Sequence, residues 1–343
     1  MRTTLPPLLL GLLLAILLAE LILRALPVST GYNPGAVDAR EPILHGQPHF
    51  AYTYSRGWNF QLDNSGVLNN FGFRSSYDYA PDPRAIVVIG NSFIQADALP
   101  PRDTMAERLR EISRTPTYAV GVDGFTLADY LVAARWASAT FDAHTLVVLL
   151  TTGDLRHSCV PRLGEHYLRL SDGAMSLALV ERRPPSRLRQ LISGSHLYRY
   201  VFDNLRVSGN WAKGWRRQTD AEPNPEIATA MDQGCDDQRF EEAASQFLLA
   251  SFHELAATRN ARVIFLIAPA NRRDRVAAGR RRDVDSFADR AAQDGFAVVR
   301  LEAAFAAALR SGTRLDFLPI DGHWNAAANA LAARAAADAL AHD

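Results

Sequence analysis

The stretch Ala85-Ile86-Val87-Val88-Ile89-Gly90-Asn91-Ser92-Phe93 decides the fold. It begins with a short apolar run rich in β-branched residues and shows no polar alternation. Such a run reads as a strand buried on both faces, and strands of that kind belong to parallel sheets covered by helices on either side. Ser92 follows at the carboxyl end of this strand, on the turn into a helix. Its hydroxyl would face the crevice, and its backbone N–H would point where an oxyanion could form. Taken alone, Ser92 reads first as a helix N-cap, because a free serine is a poor nucleophile without a base beside it.

Outward from this stretch the chain alternates strand and helix. A helix is expected around Thr104 to Ser113, with Thr104 and Glu107 spaced as a capping box. Tyr118-Ala119-Val120 reads as the next strand, Leu127 to Thr140 as the next helix, and Leu146-Val147-Val148-Leu149-Leu150 as the third strand. The rhythm then breaks over residues 156 to about 235. That stretch holds a hairpin at Tyr167 to Gly173, a break at Pro184-Pro185 and an amphipathic helix near Arg187 to Leu205, and reads as an insertion. Alternation resumes with a helix around Asp237 to Thr258 and a strand at Val263 to Ile267. A helix at Asp283 to Gln293, a strand at Phe296 to Leu301 and an Ala-rich helix after Trp324 complete it. The pattern argues for an α/β domain over residues 85–341, with ligands at the carboxyl ends of the strands. Residues 29–84, rich in Pro, Gly, Asn and aromatics, read as an extended, turn-rich lead-in.

A second motif supplies the missing base. Asp321-Gly322-His323-Trp324-Asn325 lies after the fifth strand and before the last helix, which puts His323 in a loop at the same end of the sheet as Ser92. A carboxylate two residues before a histidine can accept its Nδ1 proton and orient the ring.

The strand ending in Gly90-Asn91-Ser92-Phe93, the glycine-containing turn after the second strand and the C-terminal Asp321-Gly322-His323-Trp324-Asn325 together resemble the SGNH/GDSL hydrolase superfamily. Asn69-Asn70-Phe71-Gly72-Phe73-Arg74 and Gly90 to Leu109 resemble segments of its bacterial, exported members, and the likeness covers roughly residues 69–155 and 261–341. The resemblance implies a flavodoxin-like three-layer α/β/α sandwich with five parallel strands, no metal and no cofactor. It implies Ser92 as nucleophile, His323 as general base, Asp321 as the acid that orients it, and the Gly124 N–H beside that of Ser92 in an oxyanion hole. The chain departs from the pattern at Gly153, which stands where an oxyanion-donating Asn is expected, so that the Gly153 N–H or the Thr152 hydroxyl would have to substitute. Asn91 stands where Asp is commoner. One residue separates Asp321 from His323 where many members have two, a spacing shared with polysaccharide O-acetyltransferases. The expected activity is hydrolysis of O-acyl esters, O-acetyl foremost, on a cell-envelope or extracellular glycan, or of a small ester. Acyl transfer to a polysaccharide is one alternative, and a catalytically silent glycan-binding accessory protein is the other.

Composition bounds the rest. With 343 residues, 48% of them hydrophobic, the chain can bury a full core, and a formal net charge of zero gives no field that would draw nucleic acid. The arginine clusters at 216–217, 272–273 and 280–282 have acids nearby and read as solvated faces. Leu5 to Ala19 is apolar, and the run continues past Glu20 through Leu23 to Arg24. Read to Ala19 it fits a cleaved export signal; read to Leu23 it fits a membrane-spanning anchor, with Glu20 and Arg24 one helical turn apart and able to pair. A buried helix of a soluble protein is the third reading. Arg2 favours a cytoplasmic N-terminus, which places the domain on the periplasmic or extracellular side. In that oxidising compartment the two cysteines, Cys159 and Cys235, can form a disulfide at the base of the insertion or remain two thiols. No His or Cys spacing matches a zinc site, and no phosphate-binding loop is present. His157 and Asp154 remain lesser candidates near the pocket, and Asp316 a spare carboxylate.

Overall fold

The computed structural model describes residues 5–207, 238–270 and 282–341. The first helix, α1, spans Leu5–Arg24; a hairpin follows, β1 Ala51–Arg56 paired with β2 Leu62–Val67. Next come β3 Ile86–Gly90, α2 Ser92–Gln95, α3 Met105–Ser113, β4 Thr117–Gly121, α4 Leu127–Phe141, β5 Thr145–Leu150 and α5 Asp154–His157. The insertion carries β6 His166–Ser171, β7 Ala174–Leu179, α6 Arg187–Ser193, α7 His196–Arg199 and a π-turn at Tyr200–Asn204. The chain closes with α8 Gln238–Arg259, β8 Arg262–Ile267, α9 Arg282–Gln293, β9 Ala297–Arg300, α10 Glu302–Arg310, β10 Asp316–Phe317, β11 Asp321–Trp324 and α11 Ala326–Ala341.

The central sheet has five parallel strands in the order β4-β3-β5-β8-β9. Successive side chains of each strand alternate between the two faces, and each face has its own core. Val87, Ile89, Leu146, Val148, Phe265 and Ile267 meet α4, α8 and α9 on one side. Ile86, Val88, Val147, Leu149, Ile264 and Leu266 meet α3, α10 and α11 on the other. Uninterrupted apolar strands are what this double burial demands, and each fully buried Leu, Ile, Val or Phe contributes about 1.5–3 kcal/mol. The Ala-rich face of α11 (Ala328, Ala332, Ala333 and Ala336, all fully buried) belongs to the second of these cores. The chain leaves β3 for β4 on one side and returns to β5 on the other, so the crevice where strand order reverses opens at the carboxyl end of β3.

Several local expectations need correction. Thr104 caps α3 without its side chain, because its hydroxyl donates to Pro101 O, while the Glu107 carboxylate turns to Ser76. The helix expected from Arg187 to Leu205 is broken: α6 ends at Ser193, and Ser195 starts α7 as its N-cap, accepting from Tyr198 N. Serine competes for backbone groups, so a Gly-Ser pair ends one helix and starts another. Helix α10 was not foreseen. The lead-in does more than connect, since the β1–β2 hairpin packs onto the domain. His323 sits not in a loop but on β11, in a short antiparallel pair with β10. Cys159 is in a disulfide; Cys235 and the arginines at 216–217, 272–273 and 280–281 lie outside the described residues.

Candidate active site

Three turns at the carboxyl edge of the sheet build the site. Asn91, not Ser92, is the N-cap of α2: its Oδ1 accepts from Phe93 N at 3.1 Å. That frees the Ser92 hydroxyl, which lies 2.8 Å from His323 Nε2. The Asn91 amide donates to Thr151 Oγ1 at 2.8 Å and Asp154 Oδ1 at 3.2 Å, which ties the turn after β3 to the turn after β5. Asp154 also accepts from Thr151 N at 2.7 Å and from the Tyr130 hydroxyl at 2.9 Å. Burial pushes its carboxyl up to about 7, with Thr151 and Tyr130 acting against the rise.

The His323 ring is fixed from its other side. Its Nδ1 is 2.5 Å from Asp321 Oδ1, and its backbone N–H donates to the same oxygen at 2.9 Å. Phe93 packs against the ring with centroids 5.0 Å apart. Asp321 Oδ2 accepts from the Tyr54 hydroxyl at 2.6 Å, and Arg56 Nε donates to that hydroxyl at 3.1 Å. Burial alone would raise Asp321, yet the hydrogen bonds and charge of His323, with the Tyr54 hydroxyl, hold it far below the usual carboxylate range. Burial would lower His323, but its bond to Asp321 and the carboxylates of Asp321, Asp123 and Asp97 raise it above 6.5. The imidazole therefore lies between a hydroxyl and a carboxylate that stabilises its protonated form.

The other expected residues have the following places. Gly124 lies in the turn after β4 with φ +94°, its carbonyl accepting from Arg162 Nη1 at 2.9 Å. A Cβ there would come within 2.9 Å of Glu165 Oε1, so the turn requires glycine. Burial, with Asp129 and Asp123 nearby, pushes Glu165 up to about 8. Gly153 begins α5 with φ +89°, and a Cβ on it would meet the His157 ring at 2.9 Å. The imidazole of His157 thus occupies the space a longer residue 153 would need. Thr152 is half-buried beside it.

Tyr54, Arg56, Asp97, Asp123 and Glu165 were not singled out by the sequence. Tyr54 sits 267 residues before Asp321, in a strand whose Tyr-Thr-Tyr alternation signals only a hairpin. A cavity of about 250 Å³ lies between the lead-in and the sheet edge, with Tyr32, Leu44, Phe73, Arg74, Gln95 and Asp123 among its walls. Gln95 is in α2, three residues after Ser92.

The chain is similar to solved structures of GDSL lipolytic proteins. One is a member of the lipolytic G-D-S-L family from Veillonella parvula, at 13% identity, covering 76% of this chain and 99% of that one, with a TM-score of 0.40. A GDSL-like lipase from Bacteroides thetaiotaomicron matches at 10% identity over 76% and 87% of the two chains, with a TM-score of 0.37. An acetyl xylan esterase from Butyrivibrio proteoclasticus matches at 10% identity over 81% and 66%, with a TM-score of 0.35. No family model and no curated protein matches the chain.

Proposed function

We propose that the protein is a serine esterase in which Ser92 attacks an ester carbonyl, His323 moves the proton and Asp321 orients His323. The observation that carries this reading is the continuous relay from Ser92 Oγ through His323 to Asp321, at 2.8 Å and 2.5 Å. Ser92 Oγ forms a bond to the carbonyl carbon as its proton passes to His323 Nε2, and the charge goes to the carbonyl oxygen. The backbone N–H groups of Ser92 and Gly124 are the donors proposed to receive that oxyanion. Collapse expels the alcohol, which takes the proton from His323 and leaves an acyl-serine. Water, deprotonated by the same imidazole, then releases the acid and restores Ser92. If a sugar hydroxyl replaced water, the identical steps would transfer the acyl group. The substrate we infer is an O-acylated glycan of the cell envelope, with acetyl as the acyl group. We further infer that α1 anchors the protein, with the α/β domain on the periplasmic or extracellular side; its segment Pro7–Arg24 is long and apolar enough to cross a membrane. The mass of the protein purified from membranes tests the anchor, because loss of the first 26 or so residues would identify a cleaved signal.

Gly153 favours a second reading. With no side chain there to donate to an oxyanion, the fold would hold a glycan without cleaving it. A fluorophosphonate probe separates the two. The expected result is phosphonylation of the wild-type protein that disappears in both Ser92→Ala and His323→Ala. Folded wild-type protein that stays unlabelled would support the silent reading.

A further inference from the structure

We propose that α6 lies in the surface of the same bilayer that α1 crosses, with Leu188 and Leu191 as its lipid-facing residues. The inference rests on the anchor reading of α1 and is independent of the esterase reading.

The geometry starts at Glu20, the one acid within the apolar helix α1. It stands one turn before Arg24, about 6 Å deeper along the helix axis. Its carboxylate accepts from Arg24 Nε at 3.1 Å, Ser195 Oγ at 2.8 Å, His196 N at 3.1 Å and Leu197 N at 2.9 Å. Three of these donors belong to the start of α7, so this part of the insertion is held against the last turn of α1. A carboxylate at the edge of a hydrocarbon layer needs such partners. Their supply from α7 brings the insertion down to the level where α1 meets the membrane surface.

Helix α6 ends at Ser193, two residues before Ser195, a span the chain covers in about 7 Å at most. Its own seven residues add about 10 Å, so all of it lies close to the end of α1. Leu188 and Leu191 are three apart and share one helical face, and they are 68% and 75% exposed. On α1 itself, Leu8 through Ile22 show the same kind of exposure, between 45% and 68% at the large apolar positions. Lipid is the medium that would cover α1, and the Glu20 contact places α6 within its reach. A short helix with an apolar face and a basic residue at its start, Arg187, suits the headgroup boundary. The module is also fixed to the domain: Asn204 accepts from Ser29 N at 3.0 Å and donates to Ser55 Oγ at 2.8 Å, and the Tyr200 hydroxyl donates to Trp58 O at 2.7 Å. The α/β domain is then held on the membrane in one orientation and does not swing on a tether.

The test uses the full chain in nanodiscs of phosphatidylcholine and phosphatidylglycerol, with p-benzoylphenylalanine replacing Leu188, Leu191, Leu13 of α1 or the exposed Ile112 of α3, one at a time. After irradiation, intact mass reports a covalent lipid. The expected result is a lipid adduct at 188 and 191 comparable in yield to that at 13, with none at 112. Adding Glu20→Ala should lower the yield at 188 and 191 and leave that at 13 unchanged. Adducts at 13 without adducts at 188 or 191 would leave the anchor standing and overturn the proposal. A protein cross-link at 188 or 191 would overturn it in favour of a protein partner. No lipid at 13 would remove the anchor reading and the proposal together, while the fluorophosphonate result would be untouched.

Discussion

Asp321 is gripped by His323 on one oxygen and by the Tyr54 hydroxyl on the other. The second contact fixes the plane of the carboxylate, and through it the plane of the imidazole. Tyr54→Phe removes one hydrogen bond to a charged group, a contribution of about 1.5–3 kcal/mol where such bonds are buried. It is expected to lower kcat about ten-fold or more on a chromogenic ester with little change in KM; an unchanged kcat would show that Asp321 is positioned without it. Asp123 acts at longer range. Its charge helps to raise His323, and in the proposed mechanism that imidazole must be neutral to accept the Ser92 proton, so kcat/KM should rise with pH through a value above 6.5. Asp123→Asn removes a charge that favours the imidazolium, and the rising limb should move to lower pH. A limb that stays in place, or moves upward, would contradict the assignment of that limb to His323.

At the scale of elements, the segment Asn69 to Arg74 explains how the lead-in serves the site. Asn69 Oδ1 accepts from Phe71 N and Phe73 N at 3.0 and 2.9 Å, shaping a turn in which Gly72 has φ +76°. The turn delivers Arg74 into the domain, where it is 6% exposed. Its guanidinium donates to the Tyr52 hydroxyl and to the carbonyls of Gln95, Ala96 and Leu99, which are the end of α2 and the loop beyond it. The helix that begins with Ser92 is thus clamped from below by a residue outside the α/β alternation. Arg74→Met keeps the apolar volume but takes the donor from Gln95 O and the positive charge from beside Asp97, 3.8 Å away, while Ala96 O still accepts from Leu99 N and Leu99 O from the Asn64 amide. A loss of about 3 kcal/mol is expected in urea unfolding, together with loss of fluorophosphonate labelling. Full stability in that variant would mean that the turn after α2 holds itself.

For the whole molecule, the His323–Asp321 pair makes stability depend on pH in a defined window. Asp321 titrates below its ordinary 3.8 in the folded chain, so its contribution is present above 3.8 and fades as pH falls through the lowered value. His323 titrates above 6.5, so its contribution is complete below 6.5 and fades as pH rises through the raised value. Both are whole between about 3.8 and 6.5. The difference in urea midpoint between wild type and His323→Ala should be widest there and narrow on either side. A difference constant from acid to alkaline pH would mean that the pair is not coupled to folding.

Residues 85–93 determined the parallel sheet and the place of Ser92, because apolar runs without alternation can be satisfied only by burial on both faces, and that requirement is local. Asp321 and His323 were legible as well, since two residues so near in sequence can bond with little help from the rest of the chain. Tertiary structure alone decided the rest. The disposition of Asn91 and Ser92 at the head of α2, the support of Asp321 by Tyr54, the clamp of Arg74 and the contact of Glu20 with α7 join residues from 2 to 267 positions apart. The longer of these contacts carry no periodicity and no spacing. They exist because a carboxylate, a guanidinium or a row of carbonyls excluded from water must find a partner in whatever segment packing brings near. In the turn at Gly153, only the folded chain shows that His157 fills the space that a side chain would have taken.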